Sequence, residues 1–433
     1  MPNNSLFLWN ELNETTDEKF AYIENELAHY KNIFNSNKMH SLLEIVNEIE
    51  TELKLLKGYY YLIKKELDVR INGSVEFYSE LNDSYLYNLY LFCRSLLNEI
   101  MERLKYIIYS IFDSDVRRRL DQHEIYKNHQ ISRNLCNYIV KEKIKNSRSI
   151  NIEAHYGYEL NYYWKELTSS KNGIINAPRN NAFYIRFLPI FGHEVSHPII
   201  EINSKKILDD PILHSSYIVT QDFITKIFSF LYTDIDINKI QLITNSVHSE
   251  ILADLFSTII FGESFLYAFA GSDLVPQDII NAHLWFVSTA WQTHPPNSLR
   301  FKLINQTLKE LKNPESSLLN SSWKKIAKLE EDFDRDEPST NLNLFINDYL
   351  KEIQLKDIIN TLLDPNSPIK LTQYEPTIKD DVDNLQITDD PISIIRSIWK
   401  IRYLRWTSGL NLTRRDTAKY LRILHYSLEA RRV

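Results

Sequence analysis

The sequence predicts a mainly α fold (α+β), with helices along most of the chain and one small sheet. Hydrophobic residues make up 43% of the chain and charged residues 25%, as in an ordinary globular protein. Only 8 of the 433 residues are glycine, which argues against a β-rich fold or a glycine-looped nucleotide site. Apolar residues recur at helical spacing over long stretches, whereas strand-like alternation is confined to one short region. We therefore expect helices to dominate.

Changes in composition divide the chain into four expected units. A chain of 433 residues is longer than one small hydrophobic core usually serves. The units are an N-terminal helical hairpin or bundle (1–148), a core with a small edge sheet (149–312), helical and acidic linker segments (313–390) and a basic C-terminal helical region (391–433).

Long helices are predicted in the first unit. The run Met39–Arg70 has apolar residues spaced alternately by four and three positions, as in a heptad seam. The seam residues are Leu42, Val46, Ile49, Leu53, Leu56, Tyr60, Ile63 and Leu67. Further helices are expected over Tyr85–Phe112 and Val116–Lys145, with turns or caps at Gly73 and Asp113–Asp115. We interpret the unit as a helical hairpin that packs on the core; the alternative is a coiled coil that binds a partner.

Alternation between apolar and polar residues occurs between Ser149 and Phe187. The alternating apolar and aromatic residues are Ile150, Ile152, Ala154, Tyr156 and Tyr158. A second extended candidate runs from Gly173 to Asn176, before Pro178. We expect one of these two strands to form the edge of the sheet, where an extended peptide can add through main-chain hydrogen bonds.

Two histidines stand four residues apart and a carboxylate follows the first of them. On a helix, positions i and i+4 share one face, so His193 and His197 can bind one metal ion. Glu194 lies beside them and can act as a general base. Pro189 stands where this helix can begin. Pro198 lacks the N–H that would bond to the carbonyl of Glu194, so we expect the helix to kink or end close by.

A third metal ligand is expected on a later helix. Glu250 and Asp254 lie four residues apart among apolar residues, and burying two carboxylates without partners is costly. A metal ion and a histidine N–H would supply the partners, with Glu250 as third ligand and Asp254 accepting from one of the two histidines. His248 points away from Glu250 on such a helix, so we interpret it as a polar neighbour.

A further polar element runs from Thr293 to Arg300. His294 is a candidate donor to the oxyanion of a reacting carbonyl, with Tyr156 or Tyr158 as further candidates. The alternative for His294 is a surface histidine that ends a helix before two prolines. Arg300 either lines the site or pairs with an acidic residue beneath it.

This ordered set of motifs resembles the gluzincin zinc metallopeptidases of the HtpX and CAAX-prenyl protease type. The matching residues are His193-Glu194-Val195-Ser196-His197, Glu250-Ile251-Leu252-Ala253-Asp254 and Thr293-His294-Pro295-Pro296 with Arg300. The resemblance implies a zincin-like helical core in which His193, His197 and Glu250 hold one Zn²⁺. It also implies that Glu194 is the base and that the segment with His294 lines the site. Enzymes of that type are membrane-embedded, whereas this chain lacks a charge-free run of about 18 residues, so their membrane substrates are not carried over.

The predicted function is a zinc-dependent metalloendopeptidase, a hydrolase that acts on a protein or peptide substrate. Glu194 would take a proton from water and pass it to the leaving amine. Two alternatives stay open. One is a zinc-binding regulatory or gated module whose helical arms bind a partner protein, and the other is a purely structural helical scaffold.

Cysteine content and the first residues bear on the expected compartment. Cys93 and Cys136 form no C-x-x-C pair and cannot provide a disulfide framework, so a reducing cytoplasm is expected. The first residues lack the basic start and apolar core of a signal peptide, and no membrane span is predicted. Richness in Asn, Ile, Lys and Tyr favours an AT-rich bacterial genome. The sequence does not fix the substrate or the oligomeric state.

Charge is distributed unevenly along a chain whose net charge is −7. The acidic run Glu330–Glu337 and the loop Asp364–Asp390 are interpreted as solvated linkers. Ten lysines and arginines lie within 396–432, against two acidic residues. We expect an amphipathic helical pair whose cations face water or the acidic linkers. Contact with nucleic acid or an acidic protein is the alternative, and the negative net charge disfavours nucleic acid.

Overall fold

A computed structural model of the chain shows a mainly α fold, as the composition predicts. The described residues are 6–36, 40–71, 83–111, 124–145, 151–157, 164–167, 172–178, 188–232, 236–271, 294–313, 337–367, 369–375, 378–408 and 412–431. The helices in them are α1 (Leu6–Ser36), α2 (His40–Ile71), α3 (Asp83–Ile111), α4 (Glu124–Tyr138), α5 (Ile190–Ile202), α6 (Ser204–Asp209), α7 (Pro211–Leu231), α8 (Ile237–Phe261), α9 (Glu263–Gly271), α10 (Asn297–Glu310), α11 (Glu337–Glu352), α12 (Leu355–Leu363), α13 (Pro391–Thr407) and α14 (Arg414–Ala430). The strands are β1 (Ile144–Lys145), β2 (Asn151–Gly157), β3 (Trp164–Leu167), β4 (Asn172–Pro178) and β5 (Lys370–Leu371).

The N-terminal helices pack as the heptad pattern predicts. Helix α2 packs against both α1 and α3. The seam residues buried in this packing are Val46, Ile49, Leu53, Leu56, Tyr60 and Leu67. Helix α1 also packs against α9, and Arg402 of α13 pairs with Glu14 of α1 at 3.0 Å. The N-terminal helices therefore pack on the rest of the chain, as expected for a hairpin that covers a core.

The helix predicted to end at Lys145 ends earlier. Its described part is α4 followed by a π-helical turn over Ile139–Lys143. Ile144 and Lys145 instead form β1, which pairs with β5 in antiparallel register. The prediction of helix up to Lys145 is therefore wrong at that end, because a distant strand supplies main-chain partners that a local pattern does not reveal. The predicted turns at Gly73 and Asp113–Asp115 lie outside the described residues.

The small sheet has the strand order β2-β4-β3. Strand β4 pairs in parallel with β2 and in antiparallel with β3. Both predicted strands exist, but β4 lies in the centre, so only β2 of the two is at an edge. The other edge is β3, which the sequence does not reveal because four residues are too few for a clear alternation. Strands β3 and β4 both contact α5.

Helix α5 does not end at Pro198 but continues to Ile202. A proline inside a helix costs about 3 kcal/mol. Ile199 and Ile200 follow it and are both buried, and burying each side chain contributes about 1.5–3 kcal/mol. Burial of this last turn therefore outweighs the lost hydrogen bond, and Asn203 closes the helix by donating its N–H to the Ile199 carbonyl at 3.1 Å.

The segment predicted as a solvated linker over 364–390 is partly core. Ile369, Leu371 and Tyr374 are buried, and the Tyr374 N–H donates to the Ile259 carbonyl of α8 at 3.1 Å. Proline and aspartate content suggested a loop, but the apolar residues between them anchor it. The linker interpretation is wrong for this part of the segment.

The basic C-terminal helices direct several of their cations at acidic residues of the same chain. Lys419 donates to Asp383 in the acidic segment, and Arg405 donates to Asp416. Arg396 is buried and binds both carboxylate oxygens of Glu263 at 3.0 and 2.8 Å. These pairings match the interpretation of a helical pair docked on the chain.

Among the helices that the structure describes, none is both long and apolar enough to traverse a lipid bilayer. Cys93 and Cys136 are free thiols, and both are buried.

Substitution of Asp390 tests how firmly the C-terminal helices are held. Asp390 accepts hydrogen bonds from Tyr138 and from Lys143, the latter at 2.9 Å, and caps α13 through the N–H of Ile392. Asp390→Asn keeps a capping oxygen but leaves the buried Lys143 without its counter-charge, so we expect the free energy of unfolding to fall by about 3 kcal/mol. Chemical denaturation measures the change.

The pH dependence of that loss is also predicted. Burial would raise the pKa of Asp390, but Lys143 outweighs it and holds the pKa below its ordinary value. The stabilisation is therefore complete above the ordinary value of about 3.9 and is lost as the pH falls through the folded-state pKa. The difference between wild type and Asp390→Asn should shrink in acid. Asp383→Asn, at an exposed position, is the control and should change stability little.

Candidate metal centre

Helices α5 and α8 lie in contact and run antiparallel. Ser257 donates to the carbonyl of Pro189 before the start of α5 at 3.3 Å, whereas His197 near the other end of α5 lies beside Ser249. Gly192 faces α8, and a Cβ placed on it would lie 2.6 Å from the Ser257 hydroxyl and 2.7 Å from the Phe261 ring. The absence of a side chain at Gly192 thus allows the two helices to approach closely.

This approach brings the three predicted ligands together. The Nε2 atoms of His193 and His197 are 3.1 Å apart. The carboxylate oxygens of Glu250 lie 3.3 Å from His193 Nε2 and 3.4 Å from His197 Nε2. Within the described parts of the chain, these three side chains form a group of histidine and carboxylate donors close enough to hold one metal ion.

The donor set fits a zinc ion in geometry. Four ligands placed tetrahedrally about 2.0–2.1 Å from Zn²⁺ are about 3.3–3.4 Å apart, and the separations of 3.1 to 3.4 Å among these atoms agree with that value. Glu250 Oε2 is also a buried oxygen without a hydrogen-bond donor within the described residues. Arg300 Nη2 lies 3.5 Å from this oxygen without hydrogen-bond alignment, and a bound metal ion would satisfy the oxygen directly.

The charges of the buried side chains also favour a bound cation. Glu194, Glu250 and Asp254 are buried carboxylates, whereas Arg300 is the buried guanidinium that faces them. Arg300 binds Asp254 in a bidentate manner, with both N–O distances at 2.7 Å. With His193 neutral, as a metal ligand must be, one guanidinium and three carboxylates leave a deficit of two positive charges, which a divalent cation would supply.

Asp254 lies behind His193, as the sequence predicts. Its Oδ1 is 2.9 Å from His193 Nδ1, although the contact is not aligned as a full hydrogen bond. Arg300 fixes Asp254 from the other side and lies 3.5 Å from Glu250. Of the two interpretations of Arg300, the structure therefore agrees with the one in which it pairs with an acidic residue beneath the site.

Ser249 contacts the second histidine and was not predicted. Its hydroxyl lies 3.2 Å from His197 Nδ1, so it can fix the orientation of this ring. The sequence feature that indicates this contact is the position of Ser249 immediately before Glu250, since a residue next to a ligand on a helix can reach a neighbouring ligand. A lone serine is too common for that signal to identify it from the sequence.

The pKa values of the ligands reflect their mutual contacts. Burial would lower the pKa of His193, but Glu250 and Asp254 outweigh it and raise that pKa to about 10. Burial lowers the pKa of His197 to about 4. Burial would raise the pKa of Glu250, but His193 opposes it and holds that pKa far below the ordinary value. A cation bound among them would take the place of the His193 proton.

Glu194 is a buried carboxylate beside the ligands. Burial raises its pKa to about 7, against the opposing effect of His193, and a base with a pKa near the working pH is suited to proton transfer. Cys136 of α4 lies close enough for the Glu194 charge to add to the burial that raises the pKa of its thiol. This neighbour of Glu194 was also not predicted, because α4 and α5 are far apart in sequence.

The remaining predicted residues lie at different distances from the centre. His294 Nε2 is 3.6 Å from Glu250 Oε1, and 53% of the His294 side chain is exposed. It therefore lies at the solvent side of the ligands. His248 is buried against the Ser216 hydroxyl at 2.9 Å and is separate from the donor group, as expected. Tyr156 lies in β2 and Tyr158 lies outside the described residues, so their role stays a prediction.

Compared with models of protein families, with curated proteins and with solved structures, the chain matches none of them. The resemblance to gluzincin metallopeptidases therefore stays a prediction from the sequence motifs.

Ser249→Ala should weaken zinc binding about tenfold, because His197 loses the group that orients its ring. Competition with a fluorescent zinc chelator measures the affinity. Ser246→Ala, one turn earlier on α8, is the matched control and should leave the affinity unchanged. Equal affinities for the two variants would contradict the orienting role of Ser249.

Gly192→Ala should destabilise the fold by about 2 kcal/mol, because the added methyl group overpacks the contact with α8. Alanine has a helix propensity about 1 kcal/mol more favourable than that of glycine. The expected destabilisation is therefore opposite in sign to the change in helix propensity. Thermal and denaturant unfolding measure the loss. The double variant with Ser257→Ala removes the nearest atom and should recover part of the stability, whereas strictly additive losses would show that the contact is unimportant.

Proposed function

We propose that the chain is a zinc-dependent peptidase that hydrolyses peptide bonds of a protein or peptide substrate. The observation that carries this proposal is a set of three ligand side chains whose donor atoms lie 3.1 to 3.4 Å apart, with a buried carboxylate, Glu194, next to the first ligand. The order of the motifs, which resembles that of gluzincins, supports the same assignment. A bound Zn²⁺ would supply the Lewis acidity that lowers the pKa of water and polarises a carbonyl.

Glu194 is the proposed general base. Its carboxylate accepts a proton from the attacking water and returns it to the amine that leaves when the peptide bond breaks. The protein residues around it favour this exchange, because burial raises the pKa of Glu194 and makes it a stronger base than an exposed carboxylate.

His294 is the proposed donor to the substrate. It lies at the exposed side of Glu250, where an arriving carbonyl oxygen can accept a hydrogen bond from its ring. Arg300 does not take this role, because it is buried and the Nε–Nη2 edge of its guanidinium is directed at Asp254. Arg300 and Asp254 instead fix His193 in position.

We place this activity in the cytoplasm of a bacterium. Both cysteines are free and buried, which suits a reducing compartment where disulfides are rare. A protein substrate is favoured over nucleic acid, because cations of the C-terminal helices already face acidic residues of the chain.

Glu194→Gln should keep zinc and lose cleavage. Glutamine is similar in shape but cannot accept the proton, so we expect full metal content and a rate at least about a hundredfold lower. Mass spectrometry of the metal content and a peptide-library cleavage assay measure the two properties. His193→Ala is the comparison variant and should lose both.

Two results separate this proposal from its alternatives. Purified wild-type protein without bound zinc, and unable to take up zinc, would contradict it. Stoichiometric zinc with no cleavage in a broad peptide library, together with recovery of a tight protein partner, would favour the gated regulatory module.

A further inference from the structure

Helix α2 carries large apolar residues on the face opposite its buried seam. Leu55, Tyr59 and Leu62 are 62%, 64% and 69% exposed, and their spacing of four and three places them on one side of the helix. These large, adjacent and exposed apolar side chains form a surface that favours contact with another molecule.

Gly58 lies within the same face. It is an exposed residue in the middle of a helix, where alanine would be more favourable. Among the described residues, a Cβ placed on Gly58 would meet no atom within 4 Å, so packing in that part of the chain gives no reason for glycine. A glycine on a helix surface does allow a partner helix, or a large side chain from it, to approach the backbone closely.

The face has an arrangement that complements itself. Leu55 and Leu62 lie at equal distances on either side of the point between Gly58 and Tyr59. Further out, exposed Glu52 and exposed Lys65 are also equally distant from that point. A second copy of α2 packed in antiparallel fashion about this point would set leucine on leucine and Tyr59 on Gly58. It would also set each Glu52 opposite a Lys65.

We propose that this face of α2 is the interface of a homodimer with an antiparallel pair of α2 helices. A twofold axis passes between Gly58 and Tyr59, and each copy supplies the same residues to the other. A parallel pair would set Glu52 against Glu52 and Lys65 against Lys65, which like-charge repulsion disfavours. The interface is independent of the metal centre, so it stands whether or not the chain is a peptidase.

The first test is the mass in solution over a concentration series, by sedimentation velocity. The full chain should shift from 51.3 kDa to twice that mass as its concentration rises. Leu62→Glu should abolish the shift because it buries a charge against Leu55 of the other copy. Leu344→Glu is the matched control, because Leu344 is 54% exposed on α11, and it should dimerise like the wild type.

Gly58→Ala gives a second test in which two readouts move in opposite directions. The variant should raise the melting temperature at a low concentration, where the monomer prevails, because alanine is the better helix former. The same variant should weaken dimerisation, because the methyl group meets Tyr59 of the other copy. A Gly58→Ala dimer as tight as the wild type would overturn the proposed register.

Charge reversal tests the antiparallel orientation. Glu52→Lys and Lys65→Glu should each weaken the dimer about tenfold, because each pair occurs twice across the axis. Combining the two should restore it. A monomeric mass at every concentration would overturn the proposal, even if the face then proves to bind a different protein. A Leu62→Glu variant that still dimerises would also overturn it.

Discussion

The close contact between α5 and α8 is the constraint on which the candidate metal centre depends. Gly192 allows the helices to approach, and the antiparallel register then places His193 opposite Asp254 and Glu250. A shift of one helical turn, about 5.4 Å, would separate donors that now lie 3.1 to 3.4 Å apart. The packing of these two helices therefore determines how accurately the donor atoms are positioned.

Arg300 links this packing to the electrostatics. Its guanidinium is buried, faces Asp254 with its Nε–Nη2 edge and lies over the ring of Phe269 at 4.9 Å. A buried ion pair contributes little net stability compared with apolar residues, but the loss of either partner leaves a charge without compensation. The pair is better explained by its geometric effect, because it holds Asp254 against His193. A positioning role for Arg300 follows from that contact.

The sequence was informative where a feature repeats or where the chemistry restricts spacing. The heptad seam predicted α2 to within one residue at each end, and the four-residue spacings predicted His193, His197, Glu250 and Asp254 as neighbours. Contacts of single polar residues across distant segments could not be predicted. Ser249 beside His197 and Cys136 near Glu194 are of this kind, since only the folded chain brings them together.

The pairing of β1 with β5 has a consequence for synthesis of the chain. Ile144 and Leu371 pair across the segment that contains the candidate metal ligands, so β1 cannot pair with β5 until residue 371 has left the ribosome. The entropy of closing so long a loop must be overcome before this pairing contributes any stability. All of the candidate metal ligands therefore leave the ribosome well before β5, and a nascent chain stalled between α10 and β5 would carry these donors without the β1–β5 pairing.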